Sequence, residues 1–555
     1  MVSNLFKNGK QLFERQQSNI LSAAAIITGS VFLSAILGVA RNRLLVSHFF
    51  VSKTALDAYW IAFYLPELVF QLLVIGALSA AFIPVYSKYK NQDPGEAQDV
   101  ANSMINIILL VFTTLSVIIF IWAEPFNKLI TGTNFSPDQL ALATKFTRIM
   151  LLAQFFFAIS NFLTGIIQAN HRFIIPALSP VAYNIGIIVG IIFLGPSLGL
   201  YGPTIGVVLG AFLHLVLQLP LAIKLGFKYR PVINLKLPGV REISRLMLPR
   251  TLALSVSELE RLFVMSFLAT SLSKQGALTI LVLAQQLFSF PIRIFGMPIG
   301  QASLPFLSRE SAQDDLNEFR RIFINSLHQI LYLALPATAV LIVLRIPLVR
   351  IAYGAKAFPW ADTLLTGKIL AIFALSIFAD ASNHLITRAF YALHNTKIPM
   401  LGAIISLLVN ATVSAYLVFY TPLGIFGIAI GGATATILQS FYLFVSLLPR
   451  LSGFTWHDAV TAPAKILIAS ALTGLFLWFP MRLLDQYVFD TTRTLNLILL
   501  TATVAAIGAT VYFALSKALA IKELDSYLSL FRKIGNWRKV LSSSSETLDQ
   551  AETIQ

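Results

Sequence analysis

Residues 198–223 read LGLYGPTIGVVLGAFLHLVLQLPLAI. From Gly202 to Ile223 there is no Asp, Glu, Lys or Arg. At 1.5 Å per residue, a helix of about 20 residues crosses a hydrocarbon core about 30 Å thick. Blocks of this kind recur along the 555 residues. They are separated by short loops holding breakers such as Pro196-Ser197-Leu198-Gly199 and Tyr420-Thr421-Pro422-Leu423-Gly424. Only 12% of residues are charged while 57% are hydrophobic, against roughly 25% charged in soluble domains. Mean hydropathy is +0.77. No polar stretch is long enough to form a soluble domain. The chain is predicted to be an all-α polytopic membrane protein.

Fourteen spans are expected. The first six are Ile20–Ala40, Ile61–Pro84, Ala101–Ala123, Lys145–Ala169, Pro176–Leu194 and Gly202–Ile223. Six more are Met247–Thr270, Ala277–Leu304, Ile322–Leu344, Leu364–Phe390, Pro399–Val418 and Gly424–Leu447, and a final pair is Pro463–Phe479 and Leu495–Leu515. With the N-terminus inside, the inner segments hold 23 Lys and Arg and the outer loops 10. That bias predicts both termini in the cytoplasm. It also explains the net charge of +16 without nucleic acid, because the basic residues sit in short loops between apolar blocks. The apolar N-terminal block reads as a first span and not as a cleaved signal.

The opening stretch has an echo. Leu198-Gly199-Leu200-Tyr201-Gly202-Pro203-Thr204-Ile205-Gly206 is matched by Leu423-Gly424-Ile425-Phe426-Gly427-Ile428-Ala429-Ile430-Gly431, an offset of 225. Pro84-Val85-Tyr86-Ser87-Lys88 and Pro305-Phe306-Leu307-Ser308-Arg309 are offset by 221, and His171 with Pro176 matches His394 with Pro399 at 223. Nearly equal offsets predict a duplicated six-span unit. The copies would be related by an axis along the membrane normal, with a cavity between them. The expected division is an N-terminal lobe over residues 1–223, a second lobe over 224–450, a helix pair over 451–516 and a cytoplasmic tail over 517–555. The tail ends in a polar run, Ser542 to Gln555, expected to be disordered.

A charge near the bilayer centre costs at least about 2.5–3.5 kcal/mol, so each charged residue within a span needs a reason. Arg41 and Arg43 follow span one, Arg250 and Arg261 lie in span seven, Arg293 in span eight and Arg388 in span ten. Together they trace a guanidinium trail suited to a diphosphate, whose oxygens the planar fork can bind two at a time. The bland alternative is internal pairing. Arg261 follows Glu258 by three residues, and Asp380, His384 and Arg388 form an i, i+4 stripe. Span-end arginines can also snorkel. Asp57, Glu258, Asp380 and Arg388 are candidates for gating or for coupling to a cation such as Na+ or H+, as are Glu67 and Glu260. Asp57, opening span two as Leu56-Asp57-Ala58, could equally cap that helix.

No catalytic constellation is found. There is no cysteine, which excludes disulfides, thiol catalysis and Cys-bound metals. No HExxH pair and no phosphate-cradling GKS/T loop occurs, so neither an enzyme activity nor a metal or other cofactor is expected. Gly202, Gly206, Gly427 and Gly431 fit close helix packing.

Several motifs have a familiar order. They are Ser34-Ala35-Ile36-Leu37-Gly38-Val39-Ala40-Arg41-Asn42, Leu56-Asp57-Ala58-Tyr59, Ala62-Phe63-Tyr64-Leu65-Pro66 and Gly76-Ala77-Leu78-Ser79-Ala80-Ala81-Phe82-Ile83-Pro84. Met247-Leu248-Pro249-Arg250, Phe290-Pro291, Leu304-Pro305-Phe306-Leu307-Ser308 and Arg388-Ala389-Phe390-Tyr391-Ala392-Leu393 with Thr396-Lys397-Ile398-Pro399 follow. The set spans nearly the whole chain and resembles the MurJ (MviN) family. That resemblance implies flipping of lipid II for peptidoglycan synthesis in the bacterial cytoplasmic membrane. It also implies two six-helix lobes around a central cavity, and an extra helix pair, here spans thirteen and fourteen, forming a groove for the lipid tail.

Arg41 and Asp57 coincide with family motif residues. The chain departs from the pattern at Ala35, Asn42, Phe70-Gln71, Ile75 and Gln286, where relatives often carry charges. Arg41, Arg250, Arg261 and Arg293 are the expected substrate-binding set. The partners implied are a lipid-linked glycan, membrane lipids and cell-wall synthesis or division proteins. The alternatives within the fold are a MATE-like cation-coupled exporter, which would need an acid-rich cavity, and a polysaccharide-precursor flippase. A membrane glycosyltransferase would need catalytic groups on sizeable loops, and a mere scaffold would tolerate loss of every cavity charge.

Overall fold

In hydrocarbon a backbone N–H or C=O has no water to bond, so a spanning chain must satisfy these groups within itself. The computed structural model describes residues 20–528, except 76–81, 171, 452, 454–455 and 492. Among the described residues there are helices and turns but no strand. The main helices are α1 (Ile20–Phe49), α2 (Lys53–Phe70), α3 (Pro94–Ile121), α4 (Pro137–Ala169), α5 (Ile174–Val189) and α6 (Tyr201–Lys224). They continue as α7 (Pro238–Leu259), α8 (Ala277–Pro291), α9 (Met297–Ala312), α10 (Leu316–Val343), α11 (Trp360–Ala374) and α12 (Ile377–Ala392). The last four are α13 (Lys397–Tyr420), α14 (Ile425–Leu447), α15 (Trp456–Tyr487) and α16 (Thr494–Ala518).

Local chemistry explains several helix starts. Asp93 accepts hydrogen bonds from the Gly95 and Glu96 amides at 2.7 and 3.3 Å, with Pro94 opening α3. Ser136 and Gln139 form a reciprocal capping box before Pro137 at the head of α4. Each cap satisfies orphan N–H groups of a first turn.

Against the fourteen predicted spans, eleven helices among the described residues are long and apolar enough to cross a membrane. The α11–α12 pair, bent by 43°, would make a twelfth. The shortfall has physical causes. Only the three-residue turn Phe50–Ser52 separates α1 from α2, and Gly29–Val74 forms one 46-residue helical stretch. The region expected as span seven is helical, but Arg250, Glu258, Glu260 and Arg261 deprive it of apolarity. Since α1 runs on to Phe49, Arg41 and Arg43 lie within the helix and not beyond its end, correcting the sequence expectation.

The chain divides into two compact units. Unit one comprises Met1–Gln285, Val349–Ile372 and Met400–Ala435; unit two comprises Gln286–Leu348, Phe373–Pro399 and Thr436–Gln555. In unit one, α5 and α6 meet glycine to glycine. A methyl on Gly190 would lie 2.5 Å from the Gly202 carbonyl oxygen and 2.6 Å from Gly206 Cα, and one on Gly186 would collide with the Gly210 backbone. The echoed glycine Gly427 faces Leu417 in the same manner, at 2.7 Å. Both copies of the repeated motif therefore serve close helix approach, a recurrent basis of packing in membranes. The link Phe227–Leu237 is strapped along α3, where the Asn102 and Asn106 side chains bond the backbone of residues 228, 230 and 232.

In unit two, Gly296 and Gly300 bring their helix against Ala381 and His384 of α12. The final pair, α15 and α16, packs on α10. There the Tyr512 hydroxyl donates to the Tyr332 carbonyl at 2.8 Å, and the Tyr332 hydroxyl reaches Ser516 at 3.3 Å. The expected polar run from Ser542 lies outside the described residues.

Gly190→Leu should force α5 from α6 and destabilise the protein by about 1–3 kcal/mol, the usual cost of overpacking. Thermal unfolding in detergent should register this, while Gly29→Leu, with nothing within 4 Å, should leave the midpoint unchanged.

Candidate functional site

Asp57 sits in the second turn of α2 and is 6% exposed. Its carboxylate does not cap its own helix, as the sequence suggested. It accepts hydrogen bonds from the Gly276 amide (3.0 Å), the Thr279 amide (2.8 Å) and the Thr279 hydroxyl (2.6 Å). Asp57 thus supplies from a distant helix the N-cap that α8 lacks, and its charge meets the positive end of that helix.

The same corner of unit one holds two more ties. Lys53 is paired with the buried Asp362, which Lys274 also approaches at 3.6 Å. The Phe50 and Phe358 rings meet edge to face, 4.6 Å between centroids, and Arg43 donates to the Ile351 carbonyl. The sequence reading did not find Asp362. Its signal is an acid in the first turn of a helix otherwise apolar, which resembles an ordinary dipole-favoured cap.

Arg261 lies in a π-helical turn, Glu260–Ser266, that continues α7. Such a turn widens the helix by one residue and is frequent at functional sites. Nη2 donates to Glu258 at 2.6 Å and Nη1 to Glu67 of α2 at 2.9 Å, while the guanidinium lies 5.1 Å from the centre of the Tyr64 ring. The i, i+3 pairing that the sequence allowed is therefore present. The second carboxylate, 194 residues away, was not legible as a partner. One positive and two negative charges leave the cluster with a formal excess of one negative charge. It is not sealed: the Arg261 and Glu67 side chains retain 27% and 30% exposure.

Arg41 is half-buried. Nη1 donates to the Asn184 side-chain oxygen at 3.2 Å and Nε to Asn42 at 3.1 Å, and the Asn184 amide in turn bonds Ser34. These are neutral partners, and no carboxylate pairs with Arg41 among the described residues. Glu260 receives a 2.5 Å hydrogen bond from Asn410. The backbone at Arg250 is helical, but its side chain lies outside the described residues, as do Gly76 to Ala81 of the family-like motif.

In unit two, Arg293 sits in another π-helical turn, Ile292–Gly296, exposed, its side chain without a hydrogen bond or ion pair among the described residues. The stripe on α12 is only partly coupled. Arg388 bonds the His384 carbonyl at 3.1 Å, whereas the Asp380 side chain makes no hydrogen bond or ion pair among the described residues. No group of three His, Asp or Glu able to hold a metal occurs among the described residues.

Replacing Asp57 tests the cap. Asp57→Ala should leave three donors unsatisfied and lower stability by about 3 kcal/mol, whereas Asp57→Asn, keeping an acceptor, should lose about 1 kcal/mol. Hydrogen–deuterium exchange at residues 276–279 should accelerate most in the alanine variant. Unchanged exchange would show that the cap holds nothing.

The family model described as lipid II flippase MurJ matches residues 46–498. The probable lipid II flippase MurJ of Thermotoga maritima is 28% identical over 519 residues, covering 92% of this chain and 99% of its own. That of Bdellovibrio bacteriovorus is 26% identical over 521 residues, covering 92% and 97%. Among solved structures, a lipid II flippase MurJ in an inward closed conformation superposes with a TM-score of 0.73 at 26% identity, covering 89% of this chain and 98% of the other. A multidrug-resistance MATE transporter of the MOP superfamily, in an inward-facing conformation, shares the fold at TM-score 0.65 and 14% identity, covering 76% and 94%. A match of this extent, carried by the family model over most of the chain, places the protein in the MurJ family.

Proposed function

We propose that this chain translocates lipid II, an undecaprenyl-diphosphate-linked cell-wall precursor, from the inner to the outer leaflet by alternating access. The observation that carries the reading is the family match over residues 46–498, joined to the guanidinium groups of Arg41, Arg261 and Arg293 on its helices. Both termini face the cytoplasm in this scheme, following the excess of Lys and Arg in the segments on that side. The corner at Asp57, Lys53 and Phe50 then lies at the outer end. Its contacts must break for that end to open.

Among the described residues the side chains of Arg41, in unit one, and Arg293, in unit two, have no carboxylate partner, and each is a binding group for a phosphate. Arg250 belongs to the same set by its place in α7. Arg261 works by exchange. The diphosphate competes with Glu67 and Glu258 for the guanidinium, and the released carboxylates take up a proton or Na+. This couples headgroup arrival to a cation, and one elementary charge moved across 100 mV supplies about 2.3 kcal/mol. The acid excess at Arg261 is also the one feature that favours a cation-coupled exporter like the MATE proteins. The arginines without a carboxylate partner oppose that reading, because a cationic drug would be repelled.

The test is rescue of cells depleted of their own lipid II flippase, with flipping measured in vesicles. The chain should rescue growth. Arg41→Ala and Arg261→Ala should each slow flipping about ten-fold or more, the scale of losing a charge-assisted hydrogen bond. Arg261→Lys should recover part of the rate. Full rescue by the quadruple Ala variant of Arg41, Arg250, Arg261 and Arg293 would refute these roles, and raised drug resistance without rescue would favour the exporter.

A further inference from the structure

In unit two, the first turns of α10 and α15 and the segment after α16 enclose a cavity of about 820 Å³, well within the range of small-ligand sites. None of the groups discussed above lines it. The chain after α16 turns back sharply at Ala520, whose φ of +51° is left-handed and disfavoured by a β-carbon. The turn is closed by the Ile521 amide bonding the Ser516 carbonyl at 2.9 Å. This reversal carries Lys522 and Glu523 to the cavity wall.

The acids on that wall are already committed. Asp315 caps α10 through the Glu318 amide at 2.9 Å, Glu318 pairs with Arg321 at 2.6 Å, and Glu523 meets Nδ1 of His328 at 3.3 Å. Burial pushes the Glu523 carboxyl up, but the His328 hydrogen bond and the neighbouring Lys522 bring it below the ordinary carboxylate range, so it is spent as an anion on the imidazole. The basic wall is in excess. Lys465 and Lys522 are exposed to the cavity and make no ion pair of their own within 4 Å among the described residues. His328 is 7% exposed, and its Nε2 is buried with no hydrogen-bond partner. An orphaned ring nitrogen costs stability unless something occupies it.

We propose that this cavity binds a phosphate-bearing anion, the headgroup of an acidic phospholipid. A phosphate oxygen would meet Nε2 of the His328 ring, with Glu523 on the opposite ring nitrogen, while Lys465 and Lys522 neutralise the charge. A lipid fits better than free phosphate because Ile468, three residues after Lys465 and on the same face of α15, is 51% exposed. It offers an acyl chain apolar surface beside the basic wall. Basic pockets between helix ends recognise acidic headgroups elsewhere on the same physical grounds.

The experiment uses the full chain, purified, stripped of lipid and followed by native mass spectrometry. It is titrated with phosphatidylglycerol, with phosphatidylcholine, or with phosphatidylglycerol plus inorganic phosphate. Phosphatidylglycerol should be retained well above phosphatidylcholine. Lys465→Gln with Lys522→Gln should weaken that retention about ten-fold or more, given the attraction each basic residue contributes at an acidic surface. The pair Lys236→Gln and Lys397→Gln, an equal loss of charge at exposed sites elsewhere, should leave retention unchanged. His328→Asn, whose amide can keep the bond to Glu523 while removing Nε2, should weaken it as well. Equal loss in both double variants would reduce the effect to bulk charge and overturn the proposal, as would equal retention of the two lipids. Binding of inorganic phosphate that displaces phosphatidylglycerol would keep the phosphate chemistry but overturn the lipid source.

Discussion

Removing a charge from water inside a membrane is costly enough that each guanidinium or carboxylate there must have a partner, a path to water or a substrate. Arg261 shows the first solution. At Arg261 two carboxylates and the face of Tyr64 surround one guanidinium. Deleting either acid would leave a one-to-one pair, whereas deleting the arginine would set two acids against each other. The cluster is thereby held together until a stronger anion competes. A diphosphate is such an anion, because it presents more charge in the bidentate geometry that a guanidinium prefers. Asp57 obeys the same constraint differently, since its charge is answered by amides at the head of a helix and no cation is needed.

Three of the four π-helical turns fall at or near charges. Π-helical turns occur at Gln71–Ile75, Gly190–Leu194, Glu260–Ser266 and Ile292–Gly296. The third contains Arg261, the fourth contains Arg293, and the first follows Glu67 by one helical turn. Each turn frees a carbonyl that hydrocarbon would penalise. At the first, the Thr251 hydroxyl donates to the Leu72 carbonyl at 3.0 Å, so α7 repairs the break made in the helix following α2. A polar side chain thus stands close to backbone already loosened from regular pairing, where rotation of a helix costs least.

Much of this was legible because hydrophobic length and glycine spacing are local properties. The blocks, the echoed motifs and their use in close packing follow from residues read a turn or two apart, and the pairing of Arg261 with Glu258 follows from i, i+3 spacing. The partners of Asp57 and Lys53 do not. They lie 219 and 309 residues away, and no local pattern distinguishes an acid that caps its own helix from one that caps another. Helix count was blurred for a related reason: a turn of three residues between α1 and α2 carries no proline or glycine to mark it. The π-helical turns leave no compositional signature at all.

The closed corner and the open cluster make opposite demands on the same helix. In α2, Asp57 and Glu67 lie ten residues apart, almost three turns, so a rigid α2 would transmit displacement from one to the other. Asp57 holds the N-terminal end of α2 to the head of α8, while Glu67 holds its other end to Arg261. An anion that draws Arg261 away from Glu67 loosens one anchor of α2 and leaves the Asp57 cap to bear the restraint alone. The Gln71–Ile75 turn next to Glu67 gives that end of the helix room to move. Under the proposed exchange at Arg261, headgroup arrival and release of the end held by Asp57 are coupled through a single helix, without a separate sensor.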